Sequence, residues 1–186
     1  VNEVFRAAVQ LQEFCEQRGW RYCFIGGLAL QRWGEPRETV DVDLTLISGF
    51  GTEEVFIRDL LASFEPRVED ATAFALLNRV LLLRAPSGVG LDIALGGLPF
   101  SAVARSSLFT LPDGNAVRTC SAEDLIVMKA FAARTKDWLD LEGILVRQTG
   151  KMDWPYIFSQ ISPLAELKGA PEIFGELEKR RIEFGS

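Results

Sequence analysis

The segment Val40–Leu46, V-D-V-D-L-T-L, alternates apolar and polar residues without a break. Strict alternation marks a strand buried on one face, because successive side chains point to opposite sides. It puts Val40, Val42 and Leu44 on one side and Asp41 and Asp43 together on the other. Two adjacent carboxylates repel each other and are costly to remove from water unless a cation sits between them. A divalent metal held by hard oxygen ligands meets that need. The chain therefore has to place this strand in a sheet with an apolar side and an acid side.

Two other features belong with it. Upstream, F-I-G-G-L-A-L puts Gly26 and Gly27 at a strand-to-helix turn. Glycine lets a ligand approach the backbone, and a helix N-terminus offers free N–H groups to an anion. Downstream, V-G-L-D-I-A-L carries Asp92 as the only charge in an apolar strand, and an acid is rarely buried without a partner. Each has a plain structural reading on its own. Gly-Gly makes tight turns, paired surface acids form ion pairs (here with Arg32 or Arg37), and an Asp ends a strand. Together, three carboxylates on neighbouring strands beside a glycine turn supply what phosphoryl or nucleotidyl transfer requires. Arg37 and Thr39 precede the acid strand and are candidate nucleotide contacts.

The rest of the sequence narrows the class. The chain has 186 residues and no histidine, which makes a zinc site improbable and leaves acid–base work to carboxylates or lysine. Three cysteines without a C-x-x-C pair fit a reduced, cytoplasmic protein. The first ten residues lack the basic and apolar regions of a signal peptide, and the absent Met at position 1 is read as processing or trimming upstream. No apolar run approaches the roughly 18–20 residues of a membrane helix. A net charge of −6 opposes extended duplex binding while leaving open a nucleotide or a nucleic-acid end held through metal ions.

Periodicity and caps predict helices at 2–18, 28–33, 52–64, 99–105, 121–133, 135–147, 154–166 and 171–183. Strands are expected at 21–25, 40–47 and 89–95, as one or two strands within 74–85, and as a hairpin of 108–111 with 116–120. The fold class is α+β: a mixed sheet flanked by helices over 1–120, then a helical region over 121–186 packed on that core.

The pattern G-G-x(13)-D-x-D with a later strand Asp resembles the nucleotidyltransferase superfamily, whose fold is that of the DNA polymerase beta palm. The fuller F-I-G-G-L-A-L…R-E-T-V-D-V-D-L is similar to its abortive-infection, AbiEii-type branch. A second block, S-A-E-D-L-I-V-M-K-A-F-A-A-R-T-K-D-W-L-D-L at 121–141, resembles that branch's K…A…R-x-(K/R)-D-x-x-D-L signature. The resemblance covers roughly Ile25 to Leu145. Gly27 stands where the superfamily commonly has serine, so one hydroxyl contact to phosphate is absent.

The resemblance implies a Mg²⁺-dependent enzyme that binds two such ions, with Mn²⁺ as a substitute. Asp41, Asp43 and Asp92 would bind metal, and Asp92 would also help deprotonate the attacking hydroxyl. Gly26 and Gly27 would contact the triphosphate of an NTP such as ATP, and Lys129 would reach it. Asp137 and Asp140 would order the nucleotide site from the helical side. A salt-bridge-laced helix surface is the plain reading of that last block. The acceptor is an RNA or tRNA 3′ end or a small molecule, with a protein hydroxyl as a third option. A toxin role would bring a cognate antitoxin. The alternative is a nucleotide- or partner-binding module on the same fold that has lost catalysis.

Overall fold

In the computed structural model, which describes residues 2–97 and 102–184, the chain divides into two compact units. One comprises Val1–Leu28 and Glu38–Cys120, the other Ala29–Arg37 and Ser121–Ser186.

The first unit is built on a seven-stranded mixed sheet, ordered β3-β4-β5-β2-β1-β7-β6. Its strands are β1 (Tyr22–Phe24), β2 (Asp41–Ile47), β3 (Glu65–Pro66), β4 (Val80–Arg84), β5 (Gly90–Gly96), β6 (Ser107–Thr110) and β7 (Ala116–Thr119). The acid strand β2 is central, parallel to β5 and antiparallel to β1. Alternation decides its faces as expected. Val42, Leu44 and Leu46 are fully buried, as are Leu91 and Ile93 of β5, while the residues between them are half-buried. That apolar side belongs to one core with Val4, Ala8, Leu11 and Cys15 of α1 (Glu3–Gln17) and Ile57 and Leu60 of α3 (Glu53–Leu61). Asn2 caps α1 by accepting from the Val4 N–H at 3.0 Å.

The chain departs from the sequence reading over 74–85. Residues 71–78 form a helix, α4 (Ala71–Asn78), and only 80–84 is strand. Asp70 accepts from the Ala73 N–H at 3.1 Å, and Arg79 closes the helix in the left-handed region at φ 56. Alanine and leucine dominate A-T-A-F-A-L-L-N, so helix propensity wins over an apolar run that looks like a buried strand. The short strand β3 is a further addition. Of the helix expected at 99–105, residues 99–101 lie outside the described residues and 102–105 form turns.

The second unit is helical. It contains α5 (Ala122–Ala132), α6 (Thr135–Arg147), α7 (Trp154–Lys168) and α8 (Glu172–Phe184). Most of α2 (Gly26–Trp33) also belongs to it, although that helix begins in the first unit. Ser121 caps α5, its Oγ accepting from the Asp124 N–H at 3.1 Å. Ala133 in the left-handed region, φ 57, breaks α5 from α6. Leu125, Ile126, Leu141, Ile144, Ile157, Ile161 and Leu177 are buried here. No helix among the described residues is long and apolar enough to cross a membrane.

Candidate active site

The parallel pairing of β2 with β5 sets the first cluster. Asp43 and Asp92 are register partners, and Asp41 is the partner of Gly90. In-register neighbours share a face, so two acids 49 positions apart in sequence stand side by side with the third one step along the strand. Gly26 closes against them. The Ile25 N–H donates to the Asp43 carbonyl at 3.0 Å, which carries the end of β1 along β2. A Cβ on Gly26 would run into the Asp43 carboxylate and lie 2.8 Å from its Cβ, and the residue has φ +54. A Cβ on Gly27 would lie 2.7 Å from the Thr39 Cβ. The glycine pair is thus required by the close approach of α2 to the acid strand. Thr39 is buried, and its hydroxyl donates to the Asp41 carbonyl at 3.1 Å, with Asp41 Oδ1 at 3.4 Å.

Asp92 has a partner that the sequence reading missed. Arg67, just after β3, donates from Nη2 to Asp92 Oδ1. Burial pushes the Asp92 carboxyl upward and the Arg67 charge pulls it back. The negative charge of Asp41 adds to the rise, and the net direction is above the usual carboxylate range. Nothing local in E-P-R-V-E-D announces Arg67; only the pairing of β3 with β4 carries it to this face.

The second cluster lies wholly in the helical unit. The Lys129 ammonium, 6% exposed, donates to Asp140 Oδ2 at 2.6 Å and Asp137 Oδ1 at 3.1 Å. Asp140 also accepts a two-point pair from Arg37, Nε at 3.1 Å and Nη2 at 3.2 Å. Asp137 accepts from Arg134 Nε at 2.5 Å. For both acids burial pushes the pKa up. Hydrogen bonds from arginine (Arg134 on Asp137, Arg37 on Asp140) and from Lys129 outweigh it, holding each carboxyl below its usual value. Arg37, a candidate nucleotide contact, is engaged with Asp140. The network's exposed groups are the guanidiniums of Arg37 and Arg134, with side chains 46% and 62% exposed.

The sequence block that binds this network and the acid strand fall within one family match: residues 15–153 match the family described as "Nucleotidyl transferase AbiEii toxin, Type IV TA system". The chain belongs to the AbiEii nucleotidyl transferase toxin family. Among curated proteins none matches it in sequence. Solved structures extend the fold likeness. An antigenic nucleotidyltransferase-like protein from Paracoccidioides brasiliensis is similar with a TM-score of 0.54 at 17% identity, over 95% of this chain and 92% of that one. The lincosamide antibiotic adenylyltransferase LnuA, lincomycin-bound, is similar with a TM-score of 0.52 at 13% identity, over 75% of this chain and 94% of its own. At such identities the likeness speaks for the nucleotidyltransferase fold.

The oxygen donors of the acid face are of the kind that Mg²⁺ and Mn²⁺ take, and one of them already engages a cation, the Arg67 guanidinium. Among the described residues no group of three or more His, Cys, Asp or Glu side chains is placed to hold a metal ion. The fit is one of donor chemistry and shared face.

Proposed function

We propose that the acid face of the AbiEii-type sheet transfers a nucleotidyl group from an NTP to an acceptor hydroxyl in a Mg²⁺-dependent reaction. The observation that carries this reading is the register of Asp43 with Asp92, beside Gly26 and one step from Asp41. Asp41, Asp43 and Asp92 would hold two Mg²⁺ ions, or Mn²⁺ in their place. When bound, these ions neutralise phosphate charge and polarise the reacting oxygens.

The protein's own contribution is position and proton handling. Gly26 and Gly27 leave the first turn of α2 bare of side chains, so backbone N–H groups can meet the nucleotide phosphates. Thr39 holds the Asp41 end of the strand and lies beside Gly27, within reach of the same phosphates. The acceptor oxygen bonds to the α-phosphorus as the bond from that phosphorus to the β-phosphate bridging oxygen breaks. Pyrophosphate leaves, and the acceptor proton passes to Asp92. Burial raises the pKa of the Asp92 carboxyl, which suits it to accept a proton.

In the helical unit, Lys129, Asp137 and Asp140 take a holding role. Their contacts fix Arg37 and Arg134, two exposed cations suited to an anionic ligand such as a nucleotide phosphate. The family's toxin description supports a toxin role with a cognate antitoxin; the acceptor in that role would be an RNA or tRNA 3′ end. A small-molecule acceptor is the second option, because the fold is similar to that of LnuA, a lincosamide antibiotic adenylyltransferase. Each α-labelled NTP should be offered with Mg²⁺ to total RNA, to purified tRNA and to a lincosamide and aminoglycoside panel. Label on one acceptor class, with pyrophosphate released, is expected. NTP binding without transfer to any class would contradict the reading in favour of a silent binding module.

A further inference from the structure

A cation of the protein's own, Arg67, reaches the acid face. Arg67 is anchored there by its backbone, whose N–H donates to the Leu82 carbonyl of β4 at 3.0 Å. Leu82 is the register partner of Asp92 on one side, as Asp43 is on the other. From that anchor the guanidinium reaches Asp92 Oδ1 through Nη2. Its path crosses the position of Gly90, where a Cβ would come within 3.1 Å of Arg67 Nη1 and 3.8 Å of the Asp41 Cβ. Gly90 thus leaves the opening through which an arginine from the sheet's edge reaches the three acids. Both side chains remain open to solvent, 27% exposed for Arg67 and 33% for Asp92, so the pair can separate without unpacking the core.

We propose that Arg67 is a positioning residue that competes with the divalent cation for Asp92, holding that carboxylate in the metal-free protein and yielding it when the ion binds. This rests on the metal reading of the three carboxylates. A guanidinium and a divalent ion cannot both sit against one carboxylate without strong like-charge repulsion. Arg67 therefore sets the metal affinity below what three acids on one face would otherwise give. It also keeps Asp41, Asp43 and Asp92 from repelling one another in the metal-free protein, which preserves the face for the ion.

The test is a Mn²⁺ titration followed by electron paramagnetic resonance of the free ion. It compares the wild-type chain with Arg67→Met, which removes the charge at similar volume, and Arg67→Lys, which keeps it. Far-ultraviolet circular dichroism confirms the fold of each. Arg67→Met is expected to bind Mn²⁺ about two- to fivefold more tightly, the change one partly exposed ion pair imposes, with Arg67→Lys near wild type. Unchanged or weaker binding by a folded Arg67→Met overturns the inference while leaving the metal site standing. No Mn²⁺ bound at millimolar concentration by any of the three overturns the metal reading and the inference with it. A readout on the wild-type chain guards against a variant that does not fold. The Arg67 Nε–Hε resonance, assigned by its loss in Arg67→Lys, should move on saturation with Mg²⁺. A resonance that stays in place while Mg²⁺ binds elsewhere on the acid face overturns the competition.

Discussion

Replacing Gly26 with alanine tests whether the glycine turn is held by its contact with the acid strand or only by its own backbone angle. Gly26 has φ +54, and a left-handed alanine costs about 1–2 kcal/mol. The new Cβ would also meet the Asp43 carboxylate, at 2.6 Å from Cγ and 2.8 Å from Cβ. Rotating the carboxylate relieves only part of this, because the Asp43 Cβ is fixed by a central strand. Forcing atoms into such a place costs a further 1–3 kcal/mol or so. Gly19 is the internal control. It has φ +65, and a Cβ added there would meet nothing within 4 Å, so Gly19→Ala carries the backbone cost alone. Urea unfolding of both variants should show Gly26→Ala less stable than Gly19→Ala by about 1–3 kcal/mol. Nucleotidyl transfer should be lost in Gly26→Ala even where the protein remains folded, and kept in Gly19→Ala. Equal stability losses would refute the claim that close approach, rather than backbone angle alone, demands glycine at position 26.

Lys129→Met should cost about 2–4 kcal/mol in urea unfolding, because it leaves two carboxylates without the ammonium buried between them. Arg134→Ala, which removes a largely exposed side chain from the same Asp137, should cost less than about 1 kcal/mol. Since the folded-state pKa values of Asp137 and Asp140 are depressed, their stabilisation is present above the ordinary carboxylate range and is lost as pH falls through the lowered values. Asp92 has the opposite sign: its raised value subtracts stability as pH climbs from the ordinary carboxylate value through the folded one. Urea midpoints measured from about pH 7 down to about pH 3 should therefore fall at the acid end, and less steeply for Asp137→Asn. Burial pushes the Cys15 thiol up to about 12, and Cys23 and Cys120 are buried as well. A disulfide reagent near neutral pH should label none of the three in the folded protein and all of them in denaturant.

The acid strand was legible because its period of two leaves no other assignment, and Asp92 because a lone charge in an apolar strand asks for a partner. What alternation could not tell was which strands lie next to each other. The register of Asp43 with Asp92 comes from the parallel β2–β5 pairing across an intervening helix–strand–helix–strand segment. Arg67 stayed hidden for the same reason, since its place on the acid face depends on edge pairing of a two-residue strand. The need for glycine at 26 and 27 was readable, but its immediate cause is the contact with Asp43 and Thr39. In the helical unit, the spacing of Lys129, Asp137 and Asp140 was visible. The break that lets one lysine serve both acids was expected too, between helices at 121–133 and 135–147, and it falls on Ala133 in the left-handed region.

The central claim is that the acid face performs the transfer, and it is tested most directly by pairing wild type with Asp43→Asn. This change is nearly isosteric and removes one charge from the middle of the face. With Mg²⁺, an α-labelled NTP and the acceptor found in the panel, wild type should release one pyrophosphate per label transferred. Asp43→Asn, with an unchanged melting temperature, should be slower by roughly 100-fold or more, the scale on which removing a single charge-stabilising group acts. Transfer at the wild-type rate by folded Asp43→Asn would contradict the account.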